Sequence, residues 1–319
     1  MNINFQKKSY RFKLCKKVNS SRNNISYKKG WIIRLKNENN ILGFGEISPL
    51  KKQCLNLCEK QINIIPSKID KKNLIQKIET LHPCVQSGIN SALAEIEGIF
   101  QFKKSNNFEG INETAILANS KNILEELIYL QEKYNNKFLT IKWKVAIQDN
   151  KIEEKILEKI LSQIKGNIKL RIDANGSWNS KIANRWADIL KDNKNLDWIE
   201  QPLSVDDIKG HILLEKKIPV ALDESLIKYP DLIKTWAGWQ IRRPSQEKNP
   251  IKLFNELNNK KGLRSISTSF ETGIGQRILF HFASIQLMGP SPKVPGLALK
   301  YFPESFLFSN NPNKIWENL

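Results

Sequence analysis

From about Glu113 to Leu299 the chain repeats one pattern, a short apolar run followed by a longer stretch with helical periodicity. The apolar runs are TAILAN, FLTIKWKV, IKLRIDA, DWIEQP, PVALDE, GWQIRRP and RSISTSF. Between them lie stretches such as NILEELIYLQEKY, KIEEKILEKILSQI, KIANRWADILKD and QRILFHFASIQLM, whose apolar residues return every three or four positions. Successive runs are spaced by roughly 22 to 30 residues, the length of a β/α unit. Seven such units predict a (β/α) barrel over an open doubly wound sheet. No GxGxxG follows the first run, which also disfavours a dinucleotide fold. In such a barrel the chemistry sits at the C-terminal ends of the strands.

The first hundred or so residues read differently. SYRFKL, GWIIRLKN and ILGFGEISPL predict antiparallel strands joined by turns rich in Asn, Lys and Gly. IETLHPCVQSGINSALAEIEGIF predicts one amphipathic helix that buries Ala92, Ile96 and Ile99. The expected layout is an α+β unit over 1–110, a barrel over 111–299, and a tail over 300–319 that packs back on the first unit.

Bulk properties narrow the classes. The chain has 319 residues and 40% hydrophobic content, enough for a large domain plus a smaller one. No apolar stretch is long enough to span a bilayer, and the basic N-terminus has no apolar signal core, so a cytoplasmic protein without a membrane partner is expected. The formal charge of +19 raises nucleic acid as a partner. The lysines are scattered along the whole length, and they accompany Asn and Ile, which AT-rich codons favour together. Compositional drift is therefore preferred over a polyanion partner, although a basic surface still helps to attract anionic substrates. Cys15, Cys54, Cys58 and Cys84 lack zinc spacing and read as reduced thiols. His82, His211 and His281 fall far apart, against a histidine metal site or a Ser-His-Asp triad.

Three of the apolar runs end in acids: Asp173, Glu200 and Asp223. Carboxylates from neighbouring strands are the hard oxygen donors that Mg²⁺ prefers, with Mn²⁺ as a substitute. Taken singly, Asp173 and Asp223 could instead cap the helices that follow. Three acids in consecutive units, with a lysine pair one unit earlier, favour the metal site. That pair is Lys142 and Lys144, at i and i+2 on one strand and hence on one face. Lysine ordinarily titrates near 10.4, and a second cation on the same face plus a metal lowers that value. Lys144 could then take a proton from carbon next to a carboxylate. The plainer reading, a solvated edge strand, conflicts with the burial of both strand faces in a parallel barrel. Arg171 should share the face of Asp173 and bind a substrate carboxylate. Ser267 and Ser269 alternate and could face inward. Gly273 and Gly275 leave backbone N–H groups for an anion near a helix start. For these residues simple barrel packing is an equal alternative.

TIKWKV, LRIDANGSW, DWIEQPL, ALDESL and STSFETGIG together resemble the muconate-lactonizing subgroup of the enolase superfamily. GFGEISPL and the compact length make the chain most similar to the o-succinylbenzoate synthase family within it. The resemblance implies an N-terminal capping domain over a modified (β/α)7β barrel. It implies Mg²⁺ on Asp173, Glu200 and Asp223, Lys144 as acid/base catalyst and Lys142 as its electrostatic neighbour. The family has a second lysine on the sixth strand, usually just before a proline. Here that stretch reads GWQIRRPS, which puts Arg243 before Pro244, or Arg242 inward if the register slips by one. Arginine keeps its proton, so it cannot be a second base. It can hold a cation over the intermediate's ring, or it can pair with a barrel carboxylate.

The implied reaction is syn elimination of water from 2-succinyl-6-hydroxy-2,4-cyclohexadiene-1-carboxylate to o-succinylbenzoate, a step of menaquinone and phylloquinone synthesis. Cap segments near 16–24 and 49–53 would close over the succinyl tail. The alternatives are an N-acylamino-acid racemase, dipeptide epimerase or muconate cycloisomerase on the same scaffold, or a basic barrel remnant that binds a polyanion. The partner expected is a small carboxylate, and the sequence does not specify an oligomeric state.

Overall fold

The computed structural model describes all residues except 20, 22–23, 103–114, 118–121, 135–137, 165 and 261. The N-terminal sheet has four strands in the order β3-β2-β1-β4: β1 (Asn2–Asn19), β2 (Asn24–Asn37), β3 (Leu42–Ile47) and β4 (Lys68–Asp70). All its pairings are antiparallel. Successive residues of a strand face opposite sides, and both sides are buried here. Ile3, Phe5, Trp31, Ile33 and Leu35 pack on the helices of this unit. Tyr10, Phe12, Leu14 and Ile32 pack the other way, on Phe270, Ile274 and the C-terminal Trp316.

The helices of the unit are Cys54–Asn63, Lys71–Ile78 and Pro83–Ile96. Neither of the first two was expected, and the helix read from Ile78 onward begins only at Pro83. Proline disfavours helical geometry in the residue before it and suits the first helical position after it. His82 is extended, with ψ 140°, and its side chain accepts from the Cys84 N–H. Strand β3 lies directly on Pro83–Ile96. A Cβ on Gly43 would sit 2.0 Å from the Ala92 carbonyl oxygen, and one on Gly45 would sit 1.8 Å from that of Gly88. The two glycines of GFGEISPL therefore permit a backbone-to-backbone approach.

The second sheet is parallel, with seven strands in chain order: β5 (Ala115–Leu117), β6 (Leu139–Lys144), β7 (Ile168–Asp173), β8 (Leu196–Glu200), β9 (Val220–Leu222), β10 (Trp239–Arg242) and β11 (Arg264–Ile266). After β11 comes the helix Gly273–Leu287. The chain then returns to β11 through a parallel bridge between Ser267 and Gly296, so seven β/α units are followed by a last extended segment. This is the expected (β/α)7β order. On β6, Ile141 and Trp143 face the helices and join Trp178 and Trp186 in the largest apolar cluster. Lys142 and Lys144 take the other face.

The tail helix Pro312–Asn318 returns to the N-terminal sheet. There Trp316 meets Phe44 and lies under the Arg34 guanidinium. The expected boundary at 110/111 lies outside the described residues. No helix among the described residues is long and apolar enough to cross a membrane.

One side chain ties the two sheets together. Glu46, on β3 and 3% exposed, reaches the start of the helix Gly273–Leu287. It accepts from the Thr272 N–H (3.0 Å), Thr272 Oγ1 (2.6 Å), the Gly275 N–H (2.9 Å) and Tyr10 OH (2.5 Å). A helix N-terminus favours a negative charge, and this one is filled by the protein's own carboxylate.

Candidate active site

A cavity of about 410 Å³ lies between the N-terminal sheet and the C-terminal ends of the barrel strands. Lys142, Lys144, Asn175, Asp223, Glu224 and Arg243 line it from the barrel. Val18, Ile25, Pro49 and Leu50 line it from the N-terminal unit. Beneath the lysines lie Asp173 and Glu200, each 1% exposed.

Strand pairing sets this arrangement. Lys144 pairs with Asp173, and Asp173 with Glu200, so the three stand side by side on adjacent strands. Lys142 Nζ sits between two acids, 2.6 Å from Glu200 Oε1 and 2.9 Å from Asp173 Oδ2. Lys144 Nζ donates to Asp173 Oδ2 at 2.8 Å and to Asn175 Oδ1 at 3.0 Å. Asp223, just past β9, is held by Arg243 through two parallel bonds of 2.9 and 2.6 Å. Burial alone would lower the Lys142 pKa, but the charges of Asp173 and Glu200 outweigh it and push the value up. For Asp173 the cations of Lys142 and Lys144 overcome burial and drive the pKa well down. Burial, only partly offset by Lys142, leaves Glu200 raised.

In this structure each of the three acids is paired with a cation, Asp173 and Glu200 with the two lysines and Asp223 with Arg243. Among the described residues no three His, Cys, Asp or Glu side chains are grouped so as to hold a metal ion. Buried carboxylates need counter-charge, and here Lys142, Lys144 and Arg243 supply it. The donor set nevertheless fits a hard divalent cation. Three carboxylates end three consecutive strands, and a fourth, Glu224, lies beside Asp223 with a buried Oε2 that has no hydrogen-bond partner. Burial first, then the charges of Asp223 and Asp173, push the Glu224 pKa up to about 7. Glu224 therefore holds its proton more readily than an ordinary carboxylate.

The other expected site residues divide. Arg243 lines the cavity, whereas Arg242 points outward to Glu247 and Glu256. The proline-based register is thus the right one, and Arg243 is also the carboxylate partner considered as the plainer alternative. Ser267 lines the cavity beside Thr268. Arg171 does not line it. Arg171 is inward but two residues below Asp173, about 6.6 Å further down the strand. There it pairs with Asp197 at 3.0 Å and lies over the Trp198 ring. Ser269 is fully buried outside the cavity, because β11 ends at Ile266 and strand alternation no longer applies. Gly273 is packed against the tail, where a Cβ would meet the Ser309 carbonyl at 2.4 Å. The anion awaited at this helix start is Glu46. Segment 16–24 is strand up to Asn19 and from Asn24, with 20 and 22–23 outside the described residues. Its Ser21 hydroxyl donates to the Ala174 carbonyl at 3.1 Å, which brings the hairpin end to the barrel.

Three contributors were missed. Asn175 links Lys144 to Glu224, donating to the latter at 2.9 Å. Gln201, fully buried, accepts from the Asp223 and Ser225 N–H groups and so orients the Asp223 backbone. Glu224 directly follows Asp223. Asn175 and Gln201 both have positive φ, 46° and 39°, as do Ala146, Phe270 and Ala298. These five sit just past barrel strands or the last extended segment. Left-handed backbone at non-glycine residues is strained and gathers at functional sites. The signal in the sequence was adjacency, since DAN and EQP place each residue one or two past an acid.

Comparison with known proteins agrees with this picture. A family model described as enolase C-terminal domain-like matches residues 127–236. The o-succinylbenzoate synthase of Thermosynechococcus vestitus is 26% identical over 273 residues, covering 80% of each chain. The crystal structure of o-succinylbenzoate synthase from Thermosynechococcus elongatus, with Mg in its active site, superposes with a TM-score of 0.79 at 23% identity. That match covers 99% of this chain and 100% of the other. A dipeptide epimerase from Cytophaga hutchinsonii, with Mg and a dipeptide, gives 0.72 at 17% identity over 95% and 88%. The chain shares the fold of these structures, residues 127–236 match the enolase C-terminal domain-like model, and over most of its length the chain is similar to o-succinylbenzoate synthase.

Proposed function

We propose that this chain is an o-succinylbenzoate synthase, which eliminates water from 2-succinyl-6-hydroxy-2,4-cyclohexadiene-1-carboxylate. In this reading residues 1–110 cap the barrel and close its cavity. Asp173, Glu200 and Asp223 would hold Mg²⁺, with Glu224 adding negative charge beside them. When bound, the ion supplies positive charge that offsets the negative charge growing on the substrate carboxylate.

Lys144 Nζ takes the proton from the carbon next to that carboxylate, and it returns a proton to the departing hydroxyl on the same face. Asn175 and Asp173 orient the Lys144 amine. Lys142 stays charged among its acids and adds a fixed positive field. The apolar wall of Val18, Ile25, Pro49 and Leu50 shields the reacting carbons from water. Loss of water makes the ring aromatic, which drives the reaction forward.

The observation that carries elimination over racemisation is the pair of cations across the cavity, Lys144 on β6 and Arg243 after β10. Racemases and epimerases of this scaffold need a base on each face of the carbanion. Arg243 is held protonated, since Asp223 raises its pKa even against burial. One base suffices for a syn elimination.

The test is incubation of the purified protein with that substrate and Mg²⁺. o-Succinylbenzoate should form, and a chelator should stop it. Inversion of dipeptides or N-acylamino acids, with no dehydration, would overturn the reading.

A further inference from the structure

A second cavity, about 440 Å³, opens on the outer side of the N-terminal unit. It is lined by Arg11, Lys28, Lys29, Lys51 and Lys52, with no acidic side chain in its lining. It shares Ile25, Pro49, Leu50 and Lys51 with the catalytic cavity, so one wall separates the two.

The charge is concentrated here at a cost. Arg11 on β1 pairs directly with Lys29 on β2, and like charges in facing positions destabilise a sheet. Arg11 is held in place over the Tyr27 ring, 4.6 Å from its centroid. Lys28 turns inward and donates to the Ser48 and Pro49 carbonyls, which fixes the shared wall. Lys29, Lys51 and Lys52 are exposed and form no ion pair among the described residues. The helix Cys54–Asn63 begins at this wall with no acidic residue in its first turn, so its positive end is not neutralised.

We propose that this basic pocket is an anion-binding vestibule that captures the second carboxylate of a dicarboxylate substrate and guides it past Leu50 into the catalytic cavity. The inference rests on the functional reading above, whose substrate carries one carboxylate on the ring and one on the succinyl tail. The barrel acids and lysines serve the first. On the wall shared with the outer pocket, Ile25, Pro49 and Leu50 are apolar and Lys51 is the cation that faces both cavities.

The double variant Lys29→Ala/Lys52→Ala removes two rim cations that line only the outer pocket. At low salt kcat/KM should fall about tenfold with kcat unchanged, and the difference should close at high salt. Lys29→Arg/Lys52→Arg should restore the wild-type value. Calorimetric titration with glutarate, a flexible dianion, should show binding to wild type that the Ala variant loses. An unchanged kcat/KM and salt dependence, or equal glutarate binding by both proteins, would overturn the vestibule. The glutarate titration decides the pocket even if the dehydration substrate is not turned over, so the two readings fail separately.

Discussion

One buried carboxylate and a cluster of three, within one interface, are treated in opposite ways. Glu46 is surrounded by N–H and O–H donors from the barrel helix and from Tyr10, and every contact is a hydrogen bond of fixed geometry. Asp173, Glu200 and Asp223 are neutralised by the flexible cations Lys142, Lys144 and Arg243, which also line an open cavity. A carboxylate satisfied by backbone donors is a fastener. One satisfied by movable ammonium and guanidinium groups is in a state that a ligand can exchange. Burial alone does not separate the two; the identity of the counter-groups does.

The largest expected effect falls on the exchangeable cluster. Asp173→Asn should lower turnover about 10³-fold, the loss of several kcal/mol of transition-state stabilisation. Calorimetric Mg²⁺ titration should show weakened binding, and the melting temperature should fall too, because Lys142 and Lys144 lose a buried counter-charge. Glu46→Ala should spare the metal. It strands buried N–H donors, which should cost about 3 kcal/mol in denaturant unfolding, while Mg²⁺ affinity is retained. If Glu46→Ala abolished metal binding and left stability intact, the distinction between fastener and exchangeable site would collapse.

Arg243→Lys sharpens the comparison within the cavity. In the proposed elimination a cation in that place suffices, so activity should stay within about tenfold of wild type in the steady-state assay. The smallest effect belongs to a half-buried acid. Glu215 accepts from the Val220 N–H and forms no ion pair among the described residues, and burial pushes its pKa up to about 7. The folded state therefore favours the protonated form. Its contribution is fully present below the unfolded value near 4.5 and is lost as pH rises through about 7. Glu215→Gln should flatten the decline of melting temperature between pH 5 and 8.

Much of this was legible in the sequence because it is encoded locally. The β/α rhythm, the inward lysine pair and the strand-end acids depend only on periods of two and 3.6. Depth was not legible. Alternation turns Arg171 inward correctly but does not say that it lies one layer below the cavity, on Trp198. Ser269 was misplaced because strand ends are set by hydrogen bonding to neighbours, and β11 stops at Ile266. Long-range partners were invisible as well. Nothing near Gly273 announces that Glu46, more than two hundred residues earlier, fills the helix start. The glycines signalled an anion without revealing that the anion was internal. The acids were legible as a set, but their cation partners depend on which strands stand next to each other across the barrel.

The most direct test of the account is the rate of o-succinylbenzoate formation by Lys144→Ala, measured with saturating Mg²⁺ beside wild type. The account predicts loss of about 10³-fold or more in rate, with Mg²⁺ affinity and melting temperature retained. A variant that forms product within tenfold of the wild-type rate would contradict it, because proton removal would then have to come from another group.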